Sequence, residues 1–121
     1  MAAPPRAIAG LRVLVTGASS GIGAATSILL AGQGAAVAGS GRDGSALANL
    51  AGGGCFTTIL PRDLTEPGAP ESVVESATAA LGGLDVLVSC AGVGWSGPLH
   101  EMTAEELDAL VDINFRATLH L

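Results

Sequence analysis

Short apolar runs alternate along this chain with longer stretches of helical spacing. Leu11, Val13, Leu14 and Val15 predict a first strand over 11–16, and a first helix follows over 21–33, closed by Gly32 and Gly34. The apolar 35–40 predicts a second strand, and 44–50 a short helix ended by Gly52, Gly53 and Gly54. Cys55 to Leu60 reads as a third strand, and 68–81 as a third helix with Pro67 and Pro70 around its opening turn. Leu84 to Ser89 reads as a fourth strand. A loop with Gly92, Gly94, Gly97 and Pro98 then leads to a last helix that starts at Thr103, where Glu106 completes a capping box. The inward stripe of that helix is expected to be Leu107, Val111, Asn114, Thr118 and Leu121, an amide in a mostly apolar row.

Strands that alternate with helices and carry near-continuous apolar runs predict βαβ units and a parallel sheet covered on both faces. Nothing interrupts the pattern as a linker or repeat would, so one domain is expected over 10–121. Residues 1–9 read as a disordered leader; an organelle-targeting role is the alternative, and their apolar stretch is too short for a signal peptide.

Composition narrows the partners. Apolar residues make up 49% of 121 positions, enough for a core. A net charge of −6 argues against nucleic acid, whose phosphates are bound by basic surfaces. No run approaches the ~18 apolar residues of a membrane span. Cys55 and Cys90 fit neither a disulfide framework nor a metal spacing, which suits a reducing, cytoplasmic setting. His100 and His120 have no partner at metal or triad spacing. The charge is also uneven: residues 1–42 hold Arg6, Arg12 and Arg42 and no acid.

The candidate chemistry lies between the first strand and the first helix, at Thr16-Gly17-Ala18-Ser19-Ser20-Gly21-Ile22-Gly23. A strand–glycine turn–helix junction aims backbone N–H groups and the positive end of a helix dipole at one spot, which suits a phosphate. Gly17 would let the chain leave the strand sharply, Gly21 would let backbone approach a diphosphate, and Gly23 would let the helix pack closely on the sheet. The hydroxyls of Ser19 and Ser20 can donate to phosphate oxygens. A P-loop is excluded, because that motif needs a Lys and all five basic residues here are Arg. The dinucleotide fingerprint matches in part, with Thr26 where its last Gly would fall.

Arg42 follows the second strand, where dinucleotide folds read the adenosine ribose; a guanidinium there favours a 2′-phosphate, a carboxylate a free hydroxyl. Asp43 stands where a ribose-binding acid would fall and could equally cap the next helix. Asp63 could simply cap a turn, and Asn114 could be a polar residue that sets register in a helix seam. Trp95 could wall a substrate or merely pack.

The spacing Thr-Gly-x-x-x-Gly-Ile-Gly, with Asp63-Leu64 after the third strand, Ala91-Gly92 after the fourth and Asn114 beyond, resembles the short-chain dehydrogenases/reductases from Leu11 to the last residue. The resemblance implies a Rossmann-type doubly wound sheet, cut off after the helix that follows strand four. It implies an oxidoreductase moving hydride between NADP (NAD being the alternative) and a carbonyl or alcohol, as a homo-oligomer in its full-length form. Gly17, Ser19, Ser20, Gly21, Ile22 and Gly23 would hold the diphosphate, Arg42 the 2′-phosphate, and Asp63 and Leu64 the adenine. Cys90, Ala91 and Gly92 would border the cofactor, although Ser89 and Cys90 replace the family's usual pair of Asn. Asn114 would help hold a water in the proton relay.

The family's catalytic Tyr and Lys cannot be supplied, since this sequence contains neither. The resemblance therefore implies an N-terminal portion, inactive alone; a noncatalytic nucleotide-binding or partner-binding module is the alternative. In a 3-2-1-4-5-6 strand order the apolar fourth strand would be left as an edge, and the last helix would expose a face.

Overall fold

The computed structural model describes residues 6–121. Four parallel strands, β1 (Arg12–Thr16), β2 (Ala36–Gly41), β3 (Thr58–Pro61) and β4 (Val86–Ser89), lie in the order β3-β2-β1-β4. Three long helices, α1 (Gly21–Gly32), α2 (Gly44–Gly52) and α3 (Ala69–Leu81), connect them, and α4 (Ala104–Val111) follows the last strand. The pleat explains why the strands read as unbroken apolar runs. Val13, Val15 and Val37 face one way, onto Ala18 and Leu47, while Leu14 and Ala38 face the other, onto Val73, Ala77 and Ala117. This is the expected doubly wound Rossmann-like sheet, with β4 as its edge.

The expected leader over 1–9 falls partly outside the described residues. Within them, Ile8–Gly10 form a turn, in which Leu11 N–H donates to Ile8 O and Gly10 N–H donates to Gly34 O.

Two strands, β3 and β4, start more than one residue later than the apolar pattern predicts. Residues 55–57 precede β3 because the Cys55 thiol donates to Leu50 O and the Phe56 ring fills the space beside Gly39, so pairing begins at Thr58 opposite Ala38. At the edge, the Asp85 carboxylate accepts from Arg12 N–H (2.9 Å) and from Nε and Nη2 of the Arg12 guanidinium, while Nη1 donates to Gly82 O. A side chain thus occupies the acceptor's place in the ladder, which starts at Val86 opposite Val13. This grip holds the Asp85 carboxyl well below the usual carboxylate range, first through the Arg12 side-chain hydrogen bonds.

The largest departure is in the last helix. Thr103 and Glu106 form the expected capping box, and the Thr103 N–H bond lowers the Glu106 pKa. Beyond Val111, however, the chain widens into a π-helical turn (Asp112–Arg116) before a last short turn, α5 (Ala117–His120). A wide turn takes up extra residues and rotates the remainder of the helix. Ala117 is buried, with Ile113 and Leu121 packed on the same core, whereas Leu107, Val111, Asn114 and Thr118 are exposed. Of the stripe expected to face inward, only Leu121 does so. No helix among the described residues is long and apolar enough to cross a membrane.

Candidate functional site

The C-terminal ends of the parallel strands open onto a cavity of about 880 Å³. A ligand site is expected at this edge, where the strand order reverses between β1 and β4. Every residue expected at the nucleotide lines it: Gly17, Ser19, Ser20, Gly21, Ile22 and Gly23 from the glycine turn, Arg42 after β2, Asp63 and Leu64 after β3, and Cys90, Ala91 and Gly92 after β4. Asn114 does not line it but grips its wall.

The three glycines of the turn have distinct jobs. Gly17 (φ 65°) reverses the chain, and a Cβ there would lie 2.7 Å from the backbone of Cys90 and Ala91. A Cβ on Gly23 would strike the Gly17 carbonyl group, so this glycine lets α1 close on the turn itself rather than on the sheet. Ser27 Oγ fastens the same spot by donating to Gly23 O (2.8 Å). Gly21 (φ 54°) differs: a Cβ on it would meet no protein atom within 4 Å. The space above Gly21 therefore serves no packing purpose within the chain. Ser20 is the N-cap of α1, yet its hydroxyl makes no capping bond, so that hydroxyl and the first N–H groups of the helix remain as donors toward the cavity. Ile22, 79% exposed, projects from the same turn. This cradle of donors with no side chain in the way fits a diphosphate.

Asp43 serves as the N-cap of α2, accepting from Ala46 N–H (2.9 Å). Asp63 Oδ1 accepts from both the hydroxyl and the N–H of Thr65, at 2.7 and 2.9 Å. The capping function weighed for it is present, and Oδ2 has no protein donor among the described residues. The Thr65 hydroxyl bond, then its N–H bond, with a smaller pull from Arg42, hold the Asp63 carboxyl below its ordinary pKa. Leu64 is nearly buried in the core and reaches the cavity at its edge. Cys90 N–H donates to Thr16 O and Ala91 N–H to Thr16 Oγ1, so backbone and a strand-end threonine bind this segment.

Asn114 lies in the π-helical turn. Its Oδ1 accepts from Val93 N–H and its Nδ2 donates to Val93 O, both at 2.8 Å. The amide thus mimics a strand partner for a loop that has none. Gly92 makes this possible, since a Cβ on it would lie 2.8 Å from Asn114 Oδ1. Replacing Asn114 by Ala removes both bonds. A loss of about 1–3 kcal/mol is expected in denaturant melts, with faster hydrogen exchange at Val93 N–H. Asn114→Asp should recover part of it, since a carboxylate can accept from Val93 but cannot donate.

Three features of the site go beyond the sequence pattern. Arg62 lines the cavity beside Asp63; its place at the end of a strand, next to a site residue, was the available signal. Glu105, Asp108 and Asp112 also line it, and their helical spacing places them on one face. The third is the Asn114 clasp on Val93, which a one-dimensional pattern does not reveal. Trp95 stands off the cavity with its ring against Gly97.

The family described as short chain dehydrogenase matches residues 12–121. An uncharacterized oxidoreductase of Staphylococcus aureus is 33% identical over 109 residues, which is 88% of this chain and 47% of that protein. A short-chain dehydrogenase of Burkholderia cenocepacia, solved in complex with NADP, superposes with a TM-score of 0.83 at 34% identity, over 95% of this chain and 49% of that one. A blue fluorescent protein from a metagenomic library, solved with NADPH, gives a TM-score of 0.80 at 32% identity over the same shares. The chain spans about half the length of each of these relatives.

Proposed function

Because the chain belongs to the short-chain dehydrogenase family, we propose that it provides the nucleotide-binding part of an NADP(H)-dependent oxidoreductase acting on a carbonyl or alcohol. The observation that carries this reading is the open cradle over Gly21, in one cavity with Arg42. Neighbours solved with NADP and NADPH support the choice of nucleotide.

In this reading the N–H groups at the start of α1 and the hydroxyls of Ser19 and Ser20 take the diphosphate oxygens. Ile22 covers it, and Arg42 gives charge-assisted bonds to the 2′-phosphate. Asp63 Oδ2 accepts from the adenine amine, with Leu64 against the ring. Cys90, Ala91 and Gly92 form the close wall along which the nucleotide passes. Asn114, with both ends of its amide on Val93, acts here by setting that wall rather than by holding a relay water with its side chain. The bound nicotinamide supplies or takes up the hydride; the protein contributes geometry and protons.

The sequence contains no Tyr and no Lys, the pair that the family uses to move the substrate proton. The 121-residue chain is therefore proposed to bind nucleotide without turnover, as a binding module. Cys55 and Cys90, both free thiols, suit a cytoplasmic setting.

Titration with NADPH and NADH tests the reading. Arg42→Ala is expected to weaken NADPH about tenfold, the worth of one charge-assisted contact, and to leave NADH nearly unchanged. Equal losses for both would count against a 2′-phosphate at Arg42.

A further inference from the structure

The cavity holds a second guanidinium at the adenosine end. The β2–β3 ladder pairs Gly41 with Pro61, so the next residues along the two strands, Arg42 and Arg62, leave the sheet side by side. Arg62 N–H donates to Gly41 O (3.0 Å), which keeps the two backbones together at that point. Neighbouring strands lie about 4.8 Å apart, within the reach of two guanidinium forks on one small anion. Both residues line the cavity and both are exposed.

Their hydrogen-bonding capacity is almost unspent. Arg12 is paired with Asp85 and Arg116 with Asp112, whereas Arg42 and Arg62 form no ion pair among the described residues. Arg62 makes one bond of 3.2 Å to the carbonyl of Pro61, and Arg42 makes none. Of the two acids beside them, Asp43 caps the N-terminus of α2 and Asp63 takes the N–H and hydroxyl of Thr65 on Oδ1, and neither forms a salt bridge with these arginines among the described residues. Two like charges set next to each other repel unless an anion lies between them. A phosphate monoester, with three terminal oxygens and up to two charges, matches two planar forks. A ribose hydroxyl pair can accept from a guanidinium but brings no negative charge to offset two of them.

We propose that Arg62 is a second specificity-determining residue, which clamps a phosphate monoester on the adenosine ribose together with Arg42. This rests on the nucleotide-binding reading above and extends it to a residue outside the glycine turn and beyond the end of β2. It gives the chain a two-point preference for the phosphorylated nucleotide.

The test is titration of the full chain and its Arg62→Ala and Arg62→Lys variants with NADPH and NADH. Arg62→Ala should raise the Kd for NADPH about tenfold and leave that for NADH within about twofold. Arg62→Lys should fall between, since it keeps the charge and loses the fork. An Arg62→Ala chain that discriminates as well as the unsubstituted one, while Arg42→Ala does not, would overturn the Arg62 assignment alone. Failure of the unsubstituted chain to bind either nucleotide would overturn the reading beneath it.

Discussion

Gly23→Ala is expected to remove a large share of this chain's stability, whereas Gly21→Ala should leave it folded and weaken nucleotide binding about a hundredfold or more. The two glycines are two positions apart in one turn, and their surroundings separate the effects. The added methyl at Gly23 would strike the carbonyl group of Gly17 and crowd the Cα of Ala18. These are backbone atoms, so no rotamer change can clear the space. Overpacking typically costs about 1–3 kcal/mol, and a clash with fixed backbone belongs at the top of that range or beyond it. Domains of this size hold only about 5–15 kcal/mol in total, and α1 would have to lift from the turn that positions it. Denaturant melts should show the loss before any ligand is added.

At Gly21 the same methyl meets nothing within 4 Å, and only its φ of 54° penalises a side chain. That penalty is about 1–2 kcal/mol. The methyl would stand in the space that the proposed diphosphate must enter to reach the helix N–H groups, so affinity for NADPH should fall by about a hundredfold or more, equivalent to losing two charge-assisted hydrogen bonds. A folded Gly21→Ala chain that binds NADPH normally would show that the cradle is not the ligand site.

This contrast also shows what the sequence can and cannot convey. The run from Thr16 to Gly23 was legible because a strand, a glycine turn and a helix are each local patterns, and their order alone brings the cavity into being. The sites at Arg42, Asp63 and Ala91-Gly92 join it, since every parallel strand ends at the same edge. Gly23 is less legible: its close partner is Gly17, not the sheet, and no spacing rule distinguishes these. The helical period groups Asn114 with Leu107 and Val111, but it does not tell which side of α4 meets the sheet, and both of these residues, which precede the wide turn, are exposed. Asn114 lies on that exposed side against the Val93 loop, and Ala117 is the residue buried instead. The delayed start of β4 has a similar origin. Asp85 reads as part of an apolar strand, yet its carboxylate takes the backbone's place against Arg12.

The last helical segment also carries an uncovered apolar face, and the second large effect is expected there: the isolated 121-residue chain should self-associate. Leu107, Val111, Phe115 and Leu119 recur every four residues and are 51%, 39%, 63% and 71% exposed. Leu87, on the edge strand β4, is 38% exposed. Covering a Leu or Phe side chain yields about 1.5–3 kcal/mol, so the four together supply several kcal/mol toward association. That gain is set against about 4–15 kcal/mol of lost translational and rotational freedom, which makes association dependent on concentration. The open edge of β4 adds unpaired N–H and C=O groups that can accept another strand. Sedimentation should therefore show species larger than a monomer that grow with concentration in the micromolar range, with binding of a hydrophobic dye. Phe115→Lys combined with Leu119→Lys should shift the chain toward monomer and lower dye binding, with little effect on the melt, because neither side chain belongs to the buried core. Monomeric sedimentation of the unsubstituted chain, together with a cooperative melt, would show that this face needs no cover.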